Sequence, residues 1–317
     1  DVYKRQLPDC ATLRSRPARR RALGLLALPV RLGKPSSACK LHPNSVSAKS
    51  CAYLVENQRP NSHWKGNRLR HIGPQLLQVW HDVRRAPSRS HPPIFSVPLV
   101  CITGIGAALA VASFPVDRRI SLAMLNEPAG SLAFLRIATD IGLVRWYIWP
   151  MLGVIIALTA VDWRRLETSG RLRLARTYAY ACHLFGAVAL AGIVTNILKV
   201  AFGRARPALL EDYGSFAFRL ARFGDQFASF PSGHSTTMGA VTATFMVLAP
   251  QVRLPIFIVG FCLALSRIVV RAHFPSDVLA GFTIGFVTSV VIARFMAGRG
   301  LGYRFAAGGT GLRGLLP

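Results

Sequence analysis

Acidic side chains are scarce in this chain: 13 Asp and Glu stand against 39 Lys and Arg in 317 residues, and only 16% of the sequence is charged. An average soluble domain carries about 25% charged residues, so a water-facing surface laced with ion pairs is excluded. The carboxylates are scattered, no HExxH occurs, and Cys and His nowhere cluster at ligand spacing. No pattern for a metal-dependent hydrolase is therefore present, and no cofactor is expected. Cysteine is sparse as well. Cys101, Cys182 and Cys262 fall inside apolar runs, while Cys10, Cys39 and Cys51 lie in a polar N-terminal stretch, which gives no disulfide framework.

What the chain has in excess is apolar surface and positive charge. Hydrophobic residues make up 51% of it and the mean hydropathy is +0.36, values that place it among membrane proteins. The basic excess is uneven. Residues 1–90 hold 18 Lys and Arg against 4 Asp and Glu, with a single apolar run, Leu23 to Val30, far short of a membrane span. This stretch reads as a basic arm, either disordered or translated ahead of the true start. Tyr53 and Trp64 are not interleaved with its basic residues as stacking platforms would be, so a nucleic-acid partner is not expected. The expected organisation is an arm at 1–90, a membrane domain at 91–298 and a short cytoplasmic tail at 299–317.

From Ile94 onward, long uncharged runs alternate with short polar connections. The runs at 94–114, 142–161, 177–198, 233–249, 254–270 and 278–296 approach the ~20 residues that cross a hydrocarbon core, which predicts an all-α bundle of six transmembrane helices. Val116 to Asp140 contains Asp117, Arg118, Arg119 and Asn126 among its leucines, and is expected to lie as an amphipathic helix at the interface. Arg164, Arg165, Arg171, Arg173 and Arg176 follow the second helix, and Arg299 and Arg304 follow the sixth. The positive-inside bias puts those loops in the cytoplasm. The loop after the third helix then faces outward although it carries Arg204, Arg206, Arg219 and Arg222, and an anionic substrate would explain them.

Three motifs fall at the outward helix ends. Lys199, Arg206 and Pro207 form KxxxxxxRP, Pro231 to His234 read PSGH, and Ser266, Arg267, His273 and Asp277 form SRxxxxxHxxxD. A transferring phosphoryl group needs its oxygens held by positive charge, and its catalysis is mostly positioning and electrostatics. Lys199, Arg206 and Arg267 supply cations, Ser232 can cap the helix it opens, and the Gly233 amide can approach an anion at that helix's positive end. One histidine must attack phosphorus as a neutral imidazole; His273, with Asp277 one helical turn on, has the spacing for a carboxylate-supported nucleophile. His234 can then protonate the leaving oxygen and activate water.

Across roughly residues 94–297 the chain resembles the type 2 phosphatidic acid phosphatase (PAP2) superfamily, membrane relatives of the vanadium haloperoxidases, and all three motifs match. The resemblance implies a six-helix core, metal-independent hydrolysis of a lipid phosphate and a site at the outer membrane face. It implies phosphate binding by Lys199, Arg206, Ser232, Gly233 and Arg267, with His273 as nucleophile, Asp277 as its support and His234 as general acid. The expected substrate is a membrane lipid phosphate or pyrophosphate: polyprenyl pyrophosphate, phosphatidic acid, phosphatidylglycerol phosphate or a lipid A phosphate. The expected location is a bacterial inner membrane with the site on the periplasmic side. A phosphotransferase using the same phosphohistidine and a non-catalytic lipid-binding protein are the alternatives.

Outside the motifs, His183 is expected to be a hydrogen bonder in helix packing. Arg204 and Arg271 are expected either at a headgroup or a second phosphate or, equally, as surface anchors. Gly104, Ala108, Gly281 and Gly285 are expected at close helix contacts.

Overall fold

The computed structural model describes residues 92–126, 133–221, 224–306 and 311–314; the expected basic arm, together with Arg222, lies outside the described residues. Apolar helices dominate: α1 (Val97–Asn126), α2 (Ala133–Ala138), α3 (Arg145–Ala160), α4 (Thr168–Phe202), the single turn α5 (Leu210–Tyr213), α6 (Gly233–Leu248), α7 (Arg253–Val269) and α8 (Pro275–Gly298). Short 3-10 turns join several of them, including Thr139–Gly142 ahead of α3.

Among the described residues five helical stretches are long and apolar enough to cross a membrane: Val97–Asn126, Ala133–Ala160, Thr168–Phe202, Pro250–Val269 and Pro275–Gly298. The chain is mostly helical, with the apolar spans of a membrane protein, but among the described residues five such stretches stand where six were expected, and the run expected at 233–249 is not one of them. That segment is α6, with 16 residues, about 24 Å of helix against a hydrocarbon core of about 30 Å. It begins at Gly233, where the run was expected to begin, with Ser232 as its cap, and ends at Leu248.

The expected interfacial helix at Val116 to Asp140 is corrected. Val116 to Asn126 continues α1 as one 30-residue helix through Pro115. Of the polar residues that made the segment look unable to span, Asp117 is fully buried against other protein groups, while Arg118 and Arg119 are exposed. A polar residue paired inside a bundle is compatible with a span, and sequence alone does not reveal the partner.

Apolar side chains face outward and small or polar ones inward, the inverse of a soluble bundle. Val100, Ile105 and Leu109 of α1, Ile193 and Ile197 of α4 and Leu254 and Ile258 of α7 are exposed, whereas Ala187, Ala191, Ala240, Ala243 and Ala264 are buried completely. Lipid solvates the first set; the second lets backbones approach. The closest approach is between α6 and α8. A Cβ at Gly285 would lie 1.9 Å from Thr236 O, one at Gly239 2.1 Å from Phe282 O, and one at Gly281 2.4 Å from Ser232 O. The expected packing role thus holds for Gly281 and Gly285. It fails for Gly104, which has nothing within 4 Å, and passes to Gly106, where a Cβ would meet the Thr283 side chain at 2.4 Å.

At the bundle end opposite the motifs, the segment expected as a plain tail folds back. Tyr303–Phe305 (β1) pairs antiparallel with Leu312–Gly314 (β2) in the register Arg304 to Arg313. Buried Tyr303 places its hydroxyl 2.6 Å from His183 Nδ1, and His183 Nε2 lies 3.0 Å from Ser289 O. His183 therefore ties α4 to α8 and β1, the packing role expected of it.

Candidate active site

Four helix ends converge on the motifs. Lys199 occupies the last turn of α4, Ser232 caps the start of α6, Arg267 lies in the last turn of α7 and Asp277 in the first turn of α8. Local sequence explains each boundary. Gly203 closes α4 in the left-handed conformation, φ 54°, donating its N–H to Lys199 O, a position at which Gly avoids the Cβ penalty. Ser232 Oγ accepts from Ser235 N–H at 3.4 Å and from Ser235 Oγ at 2.9 Å. Pro275 opens α8, and Asp277 Oδ2 accepts the Phe274 N–H at 2.9 Å, satisfying a donor that the helix start leaves orphaned.

Direct contacts join the motifs. Ser232 N–H donates to Asp277 O at 3.0 Å, linking PSGH to the last motif. A Cβ at Gly233 would sit 3.8 Å from Lys199 Nζ, so the ammonium stands over the N-terminus of α6. The Arg206 N–H donates to Gln226 O at 2.9 Å and its Nε to Asp225 O at 2.7 Å, which fixes this cation to the loop that leads into PSGH. Arg267 Nη1 donates to Thr139 Oγ1 at 2.9 Å, while its Nε is buried with no hydrogen-bond partner among the described residues. A buried guanidinium donor without an acceptor calls for an anion at that spot.

His273 is 3% exposed, and its Nδ1 lies 2.8 Å from Ser229 O. A carbonyl only accepts, so Nδ1 carries the proton and Nε2 keeps the lone pair. Burial is the main cause that pushes this imidazole down to about 4; the Asp277 carboxylate opposes it, and Lys199 and Arg206 add to it. The ring is neutral near pH 7, as a nitrogen nucleophile requires. The hydrogen bond that sets the tautomer thus goes to Ser229 O, with Asp277 Oδ2 3.7 Å from Nδ1 as an ion-pair neighbour. Asp277 nevertheless holds that carbonyl in place, because Ser229 Oγ donates to Oδ2 at 2.5 Å.

Sequence reading missed two features of the site. The turn Thr139–Gly142 borders both Arg267, through Thr139, and His234, since a Cβ at Gly142 would come within 3.2 Å of His234 Cβ and Cδ2. Nothing in the local sequence marks this turn as part of the site. The second is the environment of Arg204, which was expected at a headgroup or as a surface anchor. It is buried completely, ion-paired with Asp117 and Asp277 and set among the rings of Phe114, Phe218 and Phe274. Arg271 adopts φ 59° in the turn between α7 and α8.

A mostly helical membrane domain that gathers two histidines, an aspartate and three cations at one end defines a class. Residues 180–301 match the sequence model of the PAP2 superfamily, and over that stretch the chain is similar to proteins of this superfamily. It is 41% identical over 145 residues to the lipid A 1-phosphatase of Rhizobium johnstonii, covering 44% of this chain and 59% of that protein. It is 29% identical over 182 residues to the decaprenylphosphoryl-5-phosphoribose phosphatase of Mycobacterium tuberculosis, covering 57% and 88%. With the undecaprenyl-diphosphatase BcrC of Bacillus subtilis it shares 27% identity over 111 residues, 35% of this chain and 55% of that one. The chain spans about three fifths of the length of the lipid A 1-phosphatases that it matches. No solved structure matches.

Proposed function

We propose that the protein is a membrane lipid phosphatase that works through a phosphohistidine at His273. The observation that carries this reading is the pairing of a neutral, buried imidazole with an anion site: Nε2 of His273 is left with its lone pair, and Arg267 Nε is a buried donor without an acceptor. In the first step His273 Nε2 attacks phosphorus, the N–P bond forms, and the bond to the lipid oxygen breaks as His234 gives that oxygen a proton. Lys199, Arg206 and Arg267 neutralise the three equatorial oxygens, with the backbone N–H groups at the N-terminus of α6. In the second step His234 takes a proton from water as the water attacks phosphorus. The N–P bond breaks, releasing phosphate and restoring neutral His273.

The relatives' names share a phosphate attached to a membrane-held lipid, whether lipid A, a decaprenyl-linked sugar or undecaprenyl diphosphate. We read the substrate as a member of that class. The distribution of Lys and Arg among the loops supports a site facing the periplasm from a bacterial inner membrane. Detergent-purified protein is tested against lipid A, polyprenyl pyrophosphate, phosphatidic acid and phosphatidylglycerol phosphate, with phosphate release as the readout. Release from at least one, abolished in His273→Ala, is expected. No release from any of them, equal release by His273→Ala, or transfer of the label to an acceptor hydroxyl instead of water would sink the proposal.

A further inference from the structure

Asp117 belongs to none of the three motifs and lies outside the segment that matches the superfamily. It is nonetheless buried completely at the site end of α1. Its Oδ2 accepts from Arg204 Nη2 at 2.7 Å and from Ser276 Oγ at 2.5 Å, and its Oδ1 accepts the Ser276 N–H at 3.0 Å. Arg204 Nη1 donates to Asp277 Oδ1 at 2.5 Å and to Ser276 Oγ at 2.6 Å, and its Nε and Nη2 both donate to Ser215 O. Both carboxylates receive donors only, so both are ionised. The cluster is therefore two carboxylates around one guanidinium.

Paired with Arg204 alone, Asp277 would be half of a neutral ion pair and a weak electrostatic partner for His273. The second carboxylate offsets Arg204 and leaves one net negative charge beside the imidazole. We propose that Asp117 is a positioning residue of the phosphoryl-transfer site: through Arg204 it keeps Asp277 effective against the positive charge that develops on His273, and through Ser276 it fixes the start of α8. This rests on the phosphohistidine reading above. The other groups acting on His273 are cationic or neutral: Lys199 of α4, Arg206 of the loop and His234 of α6.

The test compares full-length wild type, Asp117→Asn, Arg204→Gln, the double variant and His273→Gln in detergent, each checked for folding by thermal unfolding. Asp117→Asn makes the cluster neutral. Its kcat is expected to fall by on the order of tenfold or more, with KM within about twofold of wild type. Histidine 13C NMR, with the His273 signal assigned by its loss in His273→Gln, should show that imidazole titrating lower in Asp117→Asn and higher in Arg204→Gln. The double variant has the wild-type net charge, and should return the titration toward wild type and recover part of kcat. A purely structural role predicts instead that the double variant is the worst. Should Asp117→Asn not fold, the NMR comparison of Arg204→Gln with the double variant decides the matter. Unchanged kcat and titration in Asp117→Asn, or a folded double variant less active than both singles, overturns the proposal. Hydrolysis at the wild-type rate by His273→Gln would defeat the phosphohistidine reading instead, while the NMR arm still judges the electrostatic one.

Discussion

Replacing Gly285 with alanine probes whether the α6–α8 contact sets the geometry of the site. The added Cβ would lie 1.9 Å from Thr236 O, 2.7 Å from Ala240 N and 2.8 Å from Thr236 C, all of them backbone atoms that cannot rotate away. Ordinary contact begins near 3.4 Å, so α6 must retreat by about 1.5 Å, and a gap of even 0.5–1 Å forfeits a quarter to a half of each dispersion contact. Overpacking of this kind costs about 1–3 kcal/mol, against which alanine's helix propensity returns at most about 1 kcal/mol. Because Thr236 N–H bonds Ser232 O, the retreat drags the PSGH turn from Asp277, to which Ser232 N–H is bonded at 3.0 Å. Gly285→Ala should therefore lower the apparent Tm by about 3–8 °C and reduce kcat in the fraction that remains folded. Gly104→Ala serves as the control, since nothing lies within 4 Å of its Cβ position, and should be neutral or slightly stabilising. Thermal unfolding in detergent and phosphate release from the best substrate provide both readouts. A Gly285→Ala variant with the wild-type Tm and full activity would refute the steric argument.

Three further outcomes follow from the site. Arg267→Ala should lower kcat by about 10²–10³, the typical cost of losing one preorganised oxyanion donor, and a change of less than fivefold in steady-state kinetics would argue against Arg267 as a phosphate ligand. His273 has its pKa lowered from 6.5 to about 4, so the unfolded state binds the extra proton between those values. The stability it contributes is complete above about 6.5 and is lost as pH falls toward 4, and kcat/KM, corrected for substrate ionisation, should keep a neutral nucleophile down to about pH 4; an enzyme limb near 6.5 assigned to His273 would contradict its burial. Dialysis against a chelator should leave phosphate release unchanged, because the cationic charge in the proposed scheme comes from side chains; loss of activity restored by a divalent metal would mean that the scheme lacks a component.

The sequence by itself determined the class and carried the residue types on which the proposed chemistry rests. Long uncharged runs can be stable only where lipid solvates them, and the three motifs carry residue types whose joint occurrence suits phosphoryl transfer. It also determined local boundaries, since Gly203, Ser232 and Pro275 have conformational or hydrogen-bonding preferences that act within a few residues of each. Pairing across the bundle was not legible. Asp117 looked like a reason to end a helix, and Arg204 like a surface cation, until the fold brought them within 2.7 Å of each other. The same holds for the Thr139–Gly142 turn and for Ser229, whose carbonyl holds the His273 proton. Burial and partnership are properties of where distant segments meet, and the free energy of a charged group is decided by those partners more than by its neighbours in the chain. Tertiary structure alone therefore turned the three motifs into a site with a defined tautomer, an unpaired donor and a charge balance.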